Sequence, residues 1–170
     1  MSKSSQKRGV SPIRGSLFGI TIAITLTVGY VPALATDAVN TGYFDGVAVK
    51  GYDMVAYFTE RRPMKGSEKF SYEWLGTPWH FANAKHRELF ISDPTKYTPQ
   101  YGGYCVGEVA FNGVTFNIDP EAWAIIDGKL YLAYSKEFMD KFKAHPSDFL
   151  ANAEANWPAV ETNLHQDGFQ

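Results

Sequence analysis

A single cysteine, Cys105, serves the whole 170-residue chain. An intramolecular disulfide is therefore excluded, and the fold must rest on apolar packing. Three roles stay open to that thiol: a metal ligand, an intermolecular partner, or a buried group behaving as a small hydrophobe. An excess of positive charge is also missing, with 16 Lys+Arg against 18 Asp+Glu. Nucleic acid and anionic membrane surfaces both need basic patches, so neither is an expected partner. Internal repeats and low-complexity stretches are missing. So are a phosphate-cradling glycine loop, a His-Glu-x-x-His pair and a Gly-x-Ser-x-Gly nucleophile turn. No catalytic residue is assigned on this basis.

The chain also lacks an apolar run of full membrane-spanning length. Leu17 to Val31 is apolar but diluted by Thr21, Thr25 and Thr27, and it falls short of the roughly 20 residues that a span requires. Lys3, Lys7, Arg8 and Arg14 precede it without an acidic residue, and Ala33-Leu34-Ala35 follows. A positive n-region, a short apolar stretch and a small-x-small site together read as a signal peptide over residues 1–35. An uncleaved anchor is the alternative. The separated arginines favour general secretion over a twin-arginine route, and no cysteine stands at the cleavage point to carry a lipid. The mature chain is expected in the periplasm or outside the cell, with no membrane contact after cleavage. Cleavage leaves 12 Lys+Arg against 18 Asp+Glu, a charge of −6, which suits a soluble exported domain and is compatible with attracting cations.

What is present in quantity is aromatic carbon. Twenty-four of the 135 residues after Ala35 are Phe, Trp or Tyr, enough for one disulfide-free domain with a real core. Residues 36–42 read as a flexible leader. Phe44 to Val49 can form a strand, and Gly51-Tyr52-Asp53 turns the chain into the apolar run Met54 to Phe58. Thr59 to Glu68 is charged and broken by Pro63 and Gly66, so it reads as a surface loop. Phe70, Tyr72 and Trp74 alternate with polar residues, and Gly76-Thr77-Pro78 turns this strand into Trp79 to Phe81, a hairpin. Asn83 caps a helix through Ile91 or Ser92 that Asp93-Pro94 stops. The run Pro99-Gln100-Tyr101-Gly102-Gly103-Tyr104-Cys105 suggests a tight bend against tyrosine rings, with a plain turn as the alternative.

Two more hairpins are predicted. Asn112-Gly113 separates Val109–Phe111 from Val114–Ile118, and Asp127-Gly128 separates Trp123–Ile126 from Leu130–Tyr134; both dipeptides suit type I′ turns. Ser135 caps a helix carrying Phe138, Met139 and Phe142. Ser147 caps another carrying Phe149, Leu150 and Ala153, which Trp157-Pro158 ends. Residues 159–170 read as a frayed tail. Strands mixed with short helices, without repeated βαβ spacing, give a compact single α+β domain of antiparallel hairpins over residues 43–158.

Several of these residues also form a recognisable pattern. Asp53-Met54-Val55-Ala56, then Phe81-Ala82-Asn83-Ala84-Lys85-His86-Arg87-Glu88-Leu89-Phe90, then Asp93-Pro94-Thr95-Lys96-Tyr97 are similar in framework and spacing to the YHS domain. That domain runs from an Asp-Pro-Val-Cys opening through a hairpin to Phe-Cys-x-x-x-Cys-x-x-x-Phe and an Asn/Asp-Pro-x-x-Tyr end. Tyr52-Asp53-x-Val55-Ala56-Tyr57-Phe58, Tyr101-Gly102-Gly103-Tyr104-Cys105, Asp119-Pro120-Glu121-Ala122-Trp123, Gly128-Lys129-Leu130-Tyr131-Leu132 and Asn156-Trp157-Pro158 extend the likeness to exported bacterial YHS proteins of a cysteine-poor branch. The resemblance spans roughly residues 43 to 158. It implies a YHS-like core of the kind usually read as metal-binding, with the family's cysteine positions falling on Ala56, Ala82 and His86 around one spot.

The leading functional expectation is a binding protein for a metal ion, copper first and zinc second. Soft and borderline donors suit these ions, and the candidates are His86, Cys105, His80 and Met54, with Met64 also available. His86 falls near the third helical position after Asn83, where the positive helix end favours the neutral ring that a ligand requires. The alternative is a metal-free module for a small ligand or a protein, lined by Tyr52, Asp53, Tyr57, Tyr101 and Tyr104. A third reading pairs Cys105 with His86 or His80 as an enzymatic nucleophile, with Asp53 or Asn83 orienting the imidazole.

Overall fold

The computed structural model describes residues 39–42 and 46–167, with side chains to residue 164. The signal segment, residues 1–35, lies outside the described residues. Contacts within the chain divide it at residue 32, and every described residue belongs to the second unit, Ala33–Gln170. That unit is α+β: six α-helices and two separate two-stranded antiparallel sheets are present among the described residues.

The first sheet pairs β1 (Ser67–Trp74) with β2 (Thr77–Phe81), as the alternation of Phe70, Tyr72 and Trp74 predicts. Leu75 and Gly76 make the turn with φ of 52° and 66°, the left-handed pair that a two-residue hairpin requires. The second sheet pairs β3 (Asp119–Ile126) with β4 (Lys129–Ala133) around Asp127-Gly128, also with both φ positive. One core joins the two hairpins, running from Trp79, Phe81 and Phe90 to Leu130, Leu132 and Phe142.

Helices occupy the space between and beyond these hairpins. The run after Asp53 is α1 (Met54–Thr59), buried from Met54 to Tyr57. Asn83 caps α2 (Ala84–Ser92) by accepting from the His86 N–H, and Asp93 both ends α2 and caps α3 (Pro94–Tyr97). The glycine bend is a 3-10 turn, Tyr101–Gly103. Ser135 caps α5 (Lys136–Ala144) as expected.

Five expectations need correction. The strand at Phe44 to Val49 is not formed in its described part, because Ala48–Gly51 is a 3-10 turn. Val49 and Lys50 take φ of 47° and 54°, held by a 2.7 Å bond from the Val49 N–H to the Asn40 carbonyl and by the Tyr52 N–H on the Val49 carbonyl. The same contacts bring in part of the supposed leader: Val39 and Asn40 are buried, and the Asn40 amide donates to the Gly103 carbonyl at 3.0 Å.

The hairpin across Asn112-Gly113 is a helix instead, α4 (Val106–Asn112). Val106, Val109 and Ala110 stand at helical spacing and are buried, and Gly113 (φ 62°) is the left-handed residue that ends the helix. Asn-Gly is equally suited to a hairpin turn and a helix C-terminus, and packing decides between them. The partner in that packing is α6 (Pro146–Asp167), which passes through Pro158 rather than stopping there. Contacts on both sides of Pro158 hold it: Asn156 donates to the Val109 and Ala110 carbonyls, Trp157 packs on Tyr101, and Val160 is buried. Residues 159–167 are accordingly helical. No helix among the described residues is long and apolar enough to cross a membrane.

Candidate functional site

Asp53 is the N-cap of α1, and a buried carboxylate at that position is drawn into hydrogen bonds with orphan backbone N–H groups. Its Oδ1 accepts from Val55 N–H at 2.9 Å and Ala56 N–H at 3.3 Å. Its Oδ2 faces away from α1 and accepts from Ala82 N–H at 2.8 Å, where β2 ends. The same oxygen lies 2.6 Å from His86 Nδ1. Asp53 is fully buried and His86 is 4% exposed, so this is an enclosed carboxylate–imidazole pair with every side-chain polar atom partnered.

The other ring nitrogen, His86 Nε2, lies 3.4 Å from Thr59 Oγ1 and 3.6 Å from Glu60 Oε1. Thr59 sends its own proton to the Val55 carbonyl at 3.1 Å. His86 therefore touches both ends of α1, Asp53 at its start and Glu60 just past its end. Asn83 holds the backbone of His86 through a 2.9 Å cap. Asp53 and Asn83 both orient this histidine, one through the ring and the other through the main chain.

The other proposed metal donors are not gathered around His86. His80 sits on β2 opposite Ser71, half-buried. Met54 is fully enclosed in the core. Cys105 precedes α4, is fully buried, and bonds through its N–H to the Phe116 carbonyl. Burial pushes its thiol pKa up; the backbone N–H groups of Glu108, Tyr134 and Gly107 oppose this only in part. Ala56 and Ala82 offer no donor atom, and no three His, Cys, Asp or Glu side chains among the described residues converge on a common point that could hold an ion. Cys105 is not paired with His86, whose ring nitrogens face Asp53, Thr59 and Glu60.

The tyrosines are spent on separate packing tasks. Tyr57 is buried edge-on to Trp123 with its hydroxyl donating to the Pro120 carbonyl at 2.9 Å; burial drives its pKa far up. Tyr52 lies under the Lys65 ammonium. Tyr101 stacks between Tyr131 and Trp157, and burial raises its pKa to about 12. Tyr104 is half-buried, with its N–H on the Tyr101 carbonyl.

Thr59 and Glu60 were not legible as part of the site, because their role depends on α1 being a helix of only six residues. No protein-family model, no curated protein and no solved structure matches the chain.

Proposed function

We propose that this chain is an exported YHS-type domain that works without a metal, as a binding module. One observation carries the reading. The three positions that the resemblance equates with cysteines, Ala56, Ala82 and His86, all hydrogen-bond a single carboxylate, that of Asp53. A metal held by three thiolates would tie the opening motif, the hairpin exit and the start of α2 together. Asp53 ties the same three segments with hydrogen bonds, so the cross-link persists while the coordination chemistry is gone. His86 keeps an imidazole, but its Nδ1 is committed to Asp53, and Ala56 and Ala82 add no side-chain donor.

The test is metal uptake by the protein from Thr36 onward, titrated with Cu(I), Cu(II) and Zn(II) beside His86→Ala and Cys105→Ser. The expected result is no uptake tighter than micromolar in any of the three proteins. Tight uptake by wild type that disappears in His86→Ala would overturn the metal-free reading and restore a copper or zinc protein. Export is tested separately by the N-terminal sequence of the secreted or periplasmic form, expected to begin at Thr36.

A further inference from the structure

The aromatic residues do not all enter the core. Five rings run in unbroken contact across one face: Phe116 to Tyr134 at 6.2 Å, Tyr134 to Phe138 at 5.4 Å, Phe138 to Phe149 at 5.4 Å, and Phe149 to Phe111 at 5.1 Å. The inner rings anchor this ladder. Phe149 is 9% exposed, and Phe138 lies so close over Gly107 that a Cβ there would meet its ring at 2.2 Å. The outer rings are left in water: Phe111 is 61% exposed, Phe116 47% and Tyr134 45%, with Val114 beside them at 47%. Single exposed apolar side chains are ordinary, whereas a contiguous anchored run of them marks an interaction surface, and aromatic side chains dominate the energetics of such surfaces.

The charge of the stretch that builds this face narrows what covers it. Residues 46–99 carry eight Lys+Arg against six Asp+Glu, but residues 100–167 carry ten Asp+Glu against four lysines and no arginine. All the elements that build the aromatic ladder belong to the second, acidic stretch. Three of its four lysines already face carboxylates: Lys136 with Glu121, Lys141 with Glu137, and Lys143 with Asp140. Glu108, one turn before Phe111, and Asp148, next to Phe149, have no cationic partner among the described residues. A second copy docking through this same face would bring the acidic stretch against itself, and an anionic lipid surface would be repelled.

Resting on the metal-free binding reading, we infer that this aromatic face docks a basic segment of a partner protein, one that presents apolar side chains to the rings and lysine or arginine to the surrounding carboxylates. The rings supply the buried contact, and the carboxylates supply attraction and the choice of partner.

The probe is a fluorescently labelled amphipathic Lys/Leu peptide, with a Glu/Leu peptide of the same pattern as control, followed by anisotropy on the protein from Thr36 onward. The Lys/Leu peptide should bind, the Glu/Leu peptide should not, and affinity should fall as salt rises. Phe116→Ser and Phe111→Ser should each weaken binding by about tenfold or more. Glu108→Gln with Asp148→Asn should weaken it severalfold and flatten the salt dependence. Ile91→Ser, which removes an exposed apolar side chain on α2, should leave binding unchanged. Circular dichroism on each variant checks that the fold is retained. The inference is overturned if wild type ignores the Lys/Leu peptide, or if folded Phe116→Ser and Phe111→Ser bind it as wild type does. A sedimenting dimer that Phe116→Ser converts to monomer overturns it too, by assigning the face to a second copy. Lost peptide binding without metal uptake sinks this surface alone, whereas metal uptake through His86 sinks the metal-free reading and leaves the peptide result standing.

Discussion

Replacing Asp53 by alanine removes one side chain and four hydrogen bonds, and the structure sets the size of the loss. The N-cap of α1 goes first, a contribution of about 0.5–2 kcal/mol. The part-buried Ala82 N–H and the buried His86 Nδ1 are then left without their acceptor, at about 1–3 kcal/mol for each group that finds no substitute. Some relaxation is inevitable, and breaking a buried pair by deleting one partner typically costs about 3–5 kcal/mol. That is the expected loss for Asp53→Ala. Asp53→Asn keeps the shape and one acceptor for α1, but turns an amide toward the Ala82 and His86 donors, so an intermediate loss is expected. His86→Ala leaves the carboxylate with its three backbone donors and should cost less than Asp53→Ala. The measurement is urea unfolding followed by tryptophan fluorescence and far-ultraviolet circular dichroism, with a double-mutant cycle on Asp53 and His86. Coupling of about 1.5–3 kcal/mol is expected for a hydrogen bond to a charged group. A folded Asp53→Ala that loses less than about 1 kcal/mol with an unchanged m-value would refute the claim that this carboxylate holds the three segments together.

Three other outcomes follow from the same geometry. Asn156→Ala strips the side-chain donor from the last carbonyls of α4 and should lower stability by about 1–2 kcal/mol, read as a shift in the urea midpoint; an unchanged midpoint would deny the α4–α6 cap. Tyr57, Tyr101 and Tyr131 all have raised pKa values, chiefly through burial, with Tyr101 at about 12. The folded state therefore holds these protons more tightly than the unfolded chain. That stability is fully present below the ordinary tyrosine value near 10 and is lost as pH rises through the folded values. Tyrosinate absorbance should lag behind that of free tyrosine and then rise together with unfolding; titration of all tyrosines near 10 in the folded protein would contradict the burial. Cys105, enclosed and with its pKa pushed up, should resist an aromatic disulfide reagent in the native state at about pH 8 and react promptly in denaturant; rapid native reaction would reopen the nucleophile reading.

Much of the fold follows from rules that act over a few residues. The alternation of Phe70, Tyr72 and Trp74, the turn at Asp127-Gly128 and the caps at Asn83 and Ser135 are each settled by neighbours in the chain, and each is found where the sequence places it. The misreadings arise where local chemistry permits two answers. Asn112-Gly113 fits a hairpin or a helix end, and only the packing of α6 against α4, with Asn156 on the α4 carbonyls, selects the helix. Pro158 stops an isolated helix, yet Trp157 and Val160 are held by the core on either side of it.

The site divides in the same way. The sequence by itself determines that only one thiol exists, that Ala56 and Ala82 carry no ligand atom, and that His86 stands in the first turn of a capped helix. Tertiary structure alone decides that Asp53, Ala82 and His86, up to 33 residues apart, meet at one carboxylate. It decides equally that Phe111, Phe116 and Tyr134, aromatic residues that composition assigns to the interior, form an exposed ladder. Hydrogen-bond partners across long sequence separations, and the side of the molecule on which a ring emerges, depend on how whole elements pack. No window of a few residues contains that information.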